Sequence, residues 1–239
     1  MTVDLNFFRP LQKENKTLNY ILNIETATKN CSVSIAKEGK TLICKEIAEE
    51  GYSHAERLHV FIEESIKEVG ITYKDLVAIA VSQGPGSYTG LRIGVSAAKG
   101  LCFALGIPLI AVDTLQALAA QAKIESGFVV PMLDARRMEV YSAVFSAKLE
   151  SERAILAEVI TEDSFQEFEE TLYFVGDCTE KCQTVLNKAN FVFLENIKYP
   201  SANEMSALSY EKYLKNDFVD VAYFEPYYLK DFMITTSKK

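Results

Sequence analysis

What most limits the folds open to this chain is the order of its apolar segments, which runs through one series twice. Residues 20–24 read as a buried strand, 31–36 alternate apolar and polar side chains, and 41–48 follow a turn at Gly39. They predict three consecutive strands. Over residues 53–69, Ala55, Leu58, Ile62, Ile66 and Val69 recur at helical spacing, behind a capping box of Ser53 and Glu56 and ahead of a stop at Gly70. A strand at 76–81, a helix at about 88–105 and a strand at 107–112 follow. Asp113 or Thr114 caps a further helix that runs to about Lys123.

The second half repeats the order. Strands are predicted at 128–133, 138–147 and 155–160, a helix at 161–170, a strand at 172–175, a helix at 177–187, a strand at 191–194 and a helix at 201–214. The halves share this order without sequence identity. The expectation is an α/β fold of two similar domains facing each other, 18–126 and 127–239, divided near Ser126-Gly127. Residues 1–17 are aperiodic and read as an arm to which no role is assigned.

Composition narrows the function classes. The formal net charge is -8, with no basic cluster. A chain that grips nucleic acid by itself carries a basic patch, so a role near RNA would borrow a partner's positive charge. No apolar stretch reaches the length of a membrane span and no signal-peptide core opens the chain, which points to a cytoplasmic protein. Cys31, Cys44, Cys102, Cys178 and Cys182 are odd in number and are read as reduced and buried. The Cys178/Cys182 pair has no second pair beside it to complete a zinc site. His54 and His59 are five apart and do not share a helical face, so no catalytic or metal site is expected from them.

The segment from Gln83 to Gly94 is the richest in the chain, with glycines at 84, 86, 90 and 94 between a strand and a helix. Such loops present backbone N–H groups to anions, and they also permit tight turns and close packing. It is neither a P-loop nor a dinucleotide fingerprint. The following helix is apolar around most of its surface, with only Arg92, Ser96 and Lys99 as a polar stripe. Gly90, Gly94 and Ala98 recur every four residues and permit close approach of another helix. Burial between the domains and cover by a partner chain both account for this surplus. The 53–69 helix carries a similar surplus in Val60 and Phe61, so the two helices could join a partner's pair in a four-helix bundle. Glu25 and Asp134 end corresponding strands, where a carboxylate either faces a cleft and holds a magnesium-nucleotide or serves as a turn residue.

Several of these segments together resemble the TsaB (YeaZ) family: residues 21–28, 53–58, the glycine segment 84–94, the run Asp134-Ala135-Arg136-Arg137-Met138-Glu139-Val140-Tyr141, and the tail Pro226-Tyr227-Tyr228-Leu229-Lys230. The match spans about residues 19 to 231. The resemblance implies two domains of the actin/hexokinase/Hsp70 (RNase H-like) type. It implies a role in forming N6-threonylcarbamoyladenosine at position 37 of tRNAs reading ANN codons, as a non-catalytic scaffold for the TsaD-like paralogue that transfers the group. A TsaE-like ATPase is a further partner, and tRNA is reached only through the complex. Dimerising helices match 53–69 and 88–105, which selects the partner face: His54, Leu58, Phe61, Ile62, Arg92, Val95, Ala98 and Cys102. The same face implies a homodimer when the chain is alone. No cofactor is expected in the isolated chain; in the complex, ATP or ADP would meet Glu25, Gly84, Gly86 and Arg92.

TsaD-like chains carry HHxxxH after the strand that matches 107–112, and these histidines bind a metal. The two ligand positions here hold Thr114 and Leu118, which cannot stand in for imidazoles on a transition metal. The resemblance thus implies no transferase or peptidase activity in the isolated chain. The alternative is an enzyme: a kinase-like ATP user built on Glu25 and the 84–90 loop, or a metallopeptidase, which lacks ligands. The arm and Lys230, where arginine is common, depart from the family pattern.

Overall fold

The computed structural model describes residues 19–48 and 54–229. The N-terminal arm, the Ser53 cap and Lys230 lie outside the described residues. The first half builds β1 (Tyr20–Glu25), β2 (Cys31–Lys37), β3 (Lys40–Ile47), α1 (His54–Val69), β4 (Leu76–Ser82), α2 (Tyr88–Leu105), β5 (Leu109–Val112) and α3 (Thr114–Ala119). The second builds β6 (Phe128–Asp134), β7 (Glu139–Ser146), β8 (Ser151–Val159), β9 (Leu172–Val175), α4 (Thr179–Cys182), β10 (Phe191–Phe193) and α5 (Ala202–Leu214).

The strands form two five-stranded sheets, ordered β3-β2-β1-β4-β5 and β8-β7-β6-β9-β10. In each, the first three strands pair antiparallel and the last two add in parallel. The two sheets are therefore one topology used twice, an α/β fold of two similar halves. β1, β4 and β5 are buried almost throughout, as strands of a sheet covered on both faces are; in β1 this encloses Asn23 and Glu25 along with the apolar side chains.

Packing does not follow the order of the chain. α1 and α2 cover one face of the first sheet through Leu58, Ile62, Val95 and Cys102. The other face is covered by α5 from the far end of the chain, with Ala202, Met205 and Leu208 against Ile21, Ala80 and Ile110. Conversely α3 sends Leu115 and Leu118 onto the second sheet, against Val129, Leu133 and Phe145. The last helix of each half thus lies on the other half's sheet, and 201–214, read from sequence as the end of the second domain, completes the first core. The reason is geometric: an interior sheet has two apolar faces, and α1 and α2 close only one.

A buried polar network pins α5 in place. Asn23 donates to Ser34 Oγ at 3.0 Å and to Ser206 Oγ at 3.4 Å, and accepts from Ser209 Oγ at 2.6 Å. Ser34 Oγ donates to Ala202 O at 2.6 Å, and Ala202 N donates to Ser32 Oγ at 2.8 Å. Asn23→Ala removes the hub and its three buried hydrogen bonds. The expected loss is about 2 kcal/mol in urea unfolding; an unchanged midpoint would mean that water replaces the amide.

Three expected helices differ. Residues 161–170 form turns. Phe165, at φ 63°, buries its ring against Phe174 at 5.4 Å, and Phe168 meets Phe128 at 5.6 Å. Two aromatics three residues apart offer too narrow a stripe for a helix, and a left-handed bend buries Phe165 fully and Phe168 in part. The helix expected at 177–187 shrinks to α4, and the one expected to reach Lys123 ends at Ala119.

Candidate functional site

The glycine loop joins β4 to α2. Ser87 caps α2, its Oγ accepting from Gly90 N at 3.3 Å, and Gly106 closes it at φ 66°, its N–H on Cys102 O at 2.9 Å. Two amides of the loop, those of Gly84 and Ser87, face inward. Gly84 N donates to Thr114 Oγ1 at 3.0 Å, Ser87 N to Ala27 O at 2.6 Å, and Leu91 N to Ser87 O at 2.8 Å. An anion nest needs convergent N–H groups free to donate, and these donate to protein oxygens.

The glycines serve close packing. A Cβ on Gly86 would stand 2.4 Å from Ala27 O, one on Gly90 2.0 Å from Thr26 O, and one on Gly94 2.3 Å from Thr26 Oγ1. Thr26 Oγ1 in turn donates to Gly90 O at 2.8 Å. The stripe read as a place for another helix receives the turn that follows β1 instead.

Glu25 does not face a cleft. It is fully buried. Its Oε1 accepts from Ala27 N at 2.5 Å, while Oε2 has no partner among the described residues. Burial pushes its carboxyl from an ordinary 4.5 up to about 7, against the opposing pull of the Ala27 amide. Asp134, at the equivalent strand end, is half exposed and ion-paired to Lys181. Of the expected nucleotide contacts, Glu25 and Gly84 are therefore engaged inside the fold and Gly86 abuts Ala27. Arg92 is exposed, lying over the Tyr88 ring at 4.0 Å and donating to Tyr228 Oη at 3.3 Å.

The expected partner face needs correction. Leu58, Ile62, Val95, Ala98 and Cys102 are buried in the first core, under their own helices. Helical periodicity identified one apolar stripe, and that stripe faces the chain's own sheet. His54 is half-buried and donates from Nε2 to Thr28 O at 2.8 Å. Phe61 is only partly buried. What remains outward is Val60, 41% exposed, and Phe103, 86% exposed, with Gly100 and Ala104 exposed beside it. Phe103 was missed from sequence, although a signal was present. It falls on the polar stripe of Arg92, Ser96 and Lys99, where a phenylalanine has no intramolecular reason to be.

The two positions that carry histidines in TsaD-like chains do not suit a metal. Thr114 Oγ1 accepts from Gly84 N, and Leu118 is buried in the core facing the second sheet. Among the described residues no three His, Cys, Asp or Glu side chains converge. All five cysteines are free; four are buried and Cys44 is half-buried, a departure from the expectation that all would be enclosed. Burial pushes the thiols of Cys31 and Cys44 up to about 11 and that of Cys102 up to about 12, so they stay protonated and unreactive at neutral pH.

The tail straps the first half. Lys99 Nζ donates to Phe224 O at 2.9 Å and to Ala222 O at 3.1 Å. Tyr227 N donates to Gln83 O at 2.7 Å, and the Tyr228 ring meets that of Tyr88 at 4.8 Å, tilted by 40°. A recess of about 710 Å³ opens between this strap and Ser151 and Ile155 of β8. Among the described residues no helix is long and apolar enough to cross a membrane.

Residues 46–236 match the family described as TsaD: tRNA N6-adenosine threonylcarbamoyltransferase. The tRNA threonylcarbamoyladenosine biosynthesis protein TsaB of Bacillus subtilis (strain 168) is 29% identical over 223 residues, 88% of this chain and 93% of that one. The tRNA N6-adenosine threonylcarbamoyltransferase of the same organism is 37% identical over 129 residues, 48% of this chain and 37% of that one. Among solved structures, YeaZ from Pseudomonas aeruginosa superposes with a TM-score of 0.79 at 24% identity, covering 89% of this chain and 100% of that one.

Proposed function

The chain belongs to the TsaB/YeaZ family, and from that premise we propose that it serves threonylcarbamoyladenosine biosynthesis on tRNA as a non-catalytic scaffold for a TsaD-type transferase. In this reading the outer faces of α1 and α2 dock on the equivalent helix pair of the paralogue, and the two pairs meet as a four-helix contact. The observation that carries it is Phe103. A phenylalanine 86% exposed, flanked by exposed Gly100 and Ala104 that let a second helix come near, is the kind of aromatic anchor on which interfaces concentrate their binding energy. Val60 and the accessible part of Phe61 extend the patch from α1. Alone, the chain covers the same face with a second copy.

The scaffold reading also draws on Thr114 and Leu118, an engaged hydroxyl and a hydrocarbon, which leave the transferase's metal to the paralogue. A TsaE-like ATPase completes the assembly. The tRNAs, those reading ANN codons, are reached through the complex, in the cytoplasm. Any ATP or ADP contact from this chain falls to Arg92, the one exposed cation of the expected set.

Phe103→Glu is expected to weaken binding to the TsaD-type subunit by thirty-fold or more, about 2 kcal/mol. Its melting temperature should hold, because the side chain is outside the core. Titration calorimetry against the purified paralogue checks this, and undiminished affinity would remove α2 from the interface. Reconstituted tRNA modification with and without this chain tests the role itself. Modification by this chain unaided would end the non-catalytic reading.

A further inference from the structure

The hairpin between β6 and β7 carries two arginines in a costly backbone. Its loop is Arg136, Arg137 and Met138, closed by Ala135 N on Glu139 O at 3.1 Å. Arg136 sits at φ 81° and Arg137 at φ 55°, a region that a Cβ disfavours and that glycine or asparagine ordinarily fills. The loop is held in this shape from below. Lys181 Nζ donates to Arg137 O at 2.6 Å and to Glu139 O at 3.4 Å, and pairs with Asp134. Asp134 Oδ1 accepts from Arg136 N at 3.2 Å, and Asp177 Oδ1 from Asp134 N at 2.9 Å. The backbone polar groups are drawn inward and both arginine side chains are exposed.

Neither guanidinium has an ion pair or hydrogen bond among the described residues. The other described arginines are engaged. Arg57 interacts within the fold, Arg92 holds Tyr88 and Tyr228, and Arg153 pairs with Glu158 and Glu167. In a chain of net charge -8, two adjacent unpaired guanidiniums on a clamped corner are a preset cationic tip. No large apolar side chain is exposed within 134–140. A protein interface would supply an apolar core at such a place, whereas phosphate contacts need none. Arginine forks also match phosphate oxygens in pairs.

We propose that the Arg136–Arg137 tip contacts the ribose-phosphate backbone of the tRNA held by the complex, a proposal that rests on the function above. The test uses the complex of this chain with its TsaD-type subunit and a tRNA transcript, with affinity measured across salt concentrations. The double variant R136G/R137G removes the charges and relieves the backbone, so the fold holds; R136K/R137K keeps the charge. The glycine variant is expected to bind tRNA on the order of tenfold more weakly, with a salt slope shallower by about two, and the lysine variant to keep the slope. Unchanged affinity and slope in the glycine variant, while the parent complex binds tRNA, would overturn the tip and leave the scaffold role standing. Weaker binding of the paralogue with tRNA affinity intact would assign the tip to an acidic protein surface and overturn it likewise. If the parent complex neither binds nor modifies tRNA, the functional reading fails, and the tip fails with it.

Discussion

Gly90→Ala is expected to destabilise the chain by about 3 kcal/mol or more, at or beyond the upper end of ordinary overpacking. The added Cβ would stand 2.0 Å from Thr26 O. A carbonyl oxygen has no rotamer to adopt, so either α2 or the turn after β1 must shift. That shift also strains the Thr26 hydroxyl bond to Gly90 O at 2.8 Å and the neighbouring contact of Gly94 with Thr26. For a chain of 239 residues the loss corresponds to a melting temperature lower by roughly 6–12 °C. Calorimetry or urea unfolding reads it. The outcome also separates two roles for the glycine segment. If the glycines exist to let a phosphate approach the backbone, alanine at position 90 leaves the fold intact and harms only ligand binding. If they exist to admit Thr26, the fold itself fails, and any loss of partner binding is secondary.

Glu25→Gln is expected to stabilise the chain at pH 8 by about 3 kcal/mol and to do almost nothing at pH 4. Burial raises the folded-state carboxyl from 4.5 to about 7, and at about 1.4 kcal/mol per pH unit that gap sets the size of the effect. The sign follows from proton binding. Between 4.5 and about 7 the folded chain keeps a proton that the unfolded chain has released, so stability falls as pH rises through that window and levels off above it. Glutamine cannot ionise, and it retains the acceptor for Ala27 N. A series of urea unfolding curves from pH 4 to pH 8 should show the slope in the parent and its loss in the variant. A variant less stable than the parent at pH 8 would mean that the carboxylate is matched by a positive group, as a nucleotide-metal site would require.

These two residues show how far residue patterns carry. The glycine segment was recognisable as special, and its boundaries were readable: Ser87 caps α2, Gly106 ends it, and the helix spans Tyr88–Leu105 as the periodicity predicts. Its purpose was not readable, because a glycine admits a phosphate, a helix or a threonine equally well. Glu25 was likewise recognisable by its place at a strand end, while its burial depends on what α2 brings over it. The partner face was misplaced for a related reason. Periodicity in α1 and α2 finds the strongest apolar stripe, and in this chain that stripe belongs to the interior. The outward residue, Phe103, is a single departure on a polar stripe, too small a signal for periodicity to weigh.

Local chemistry in the chain therefore determined the strands, the helix ends at α2 and the doubled order, because caps, turns and alternation act over a few residues. The family resemblance, and not local pattern, singled out Thr114 and Leu118 as the positions to compare with a metal site. Only the tertiary structure decided that α3 and α5 lie on the sheets of opposite halves, that 161–170 bends around Phe165 instead of coiling, and which face of α2 meets solvent. Those outcomes depend on competition between surfaces far apart in the chain, each seeking the largest apolar area to cover, and no short stretch of sequence contains both competitors.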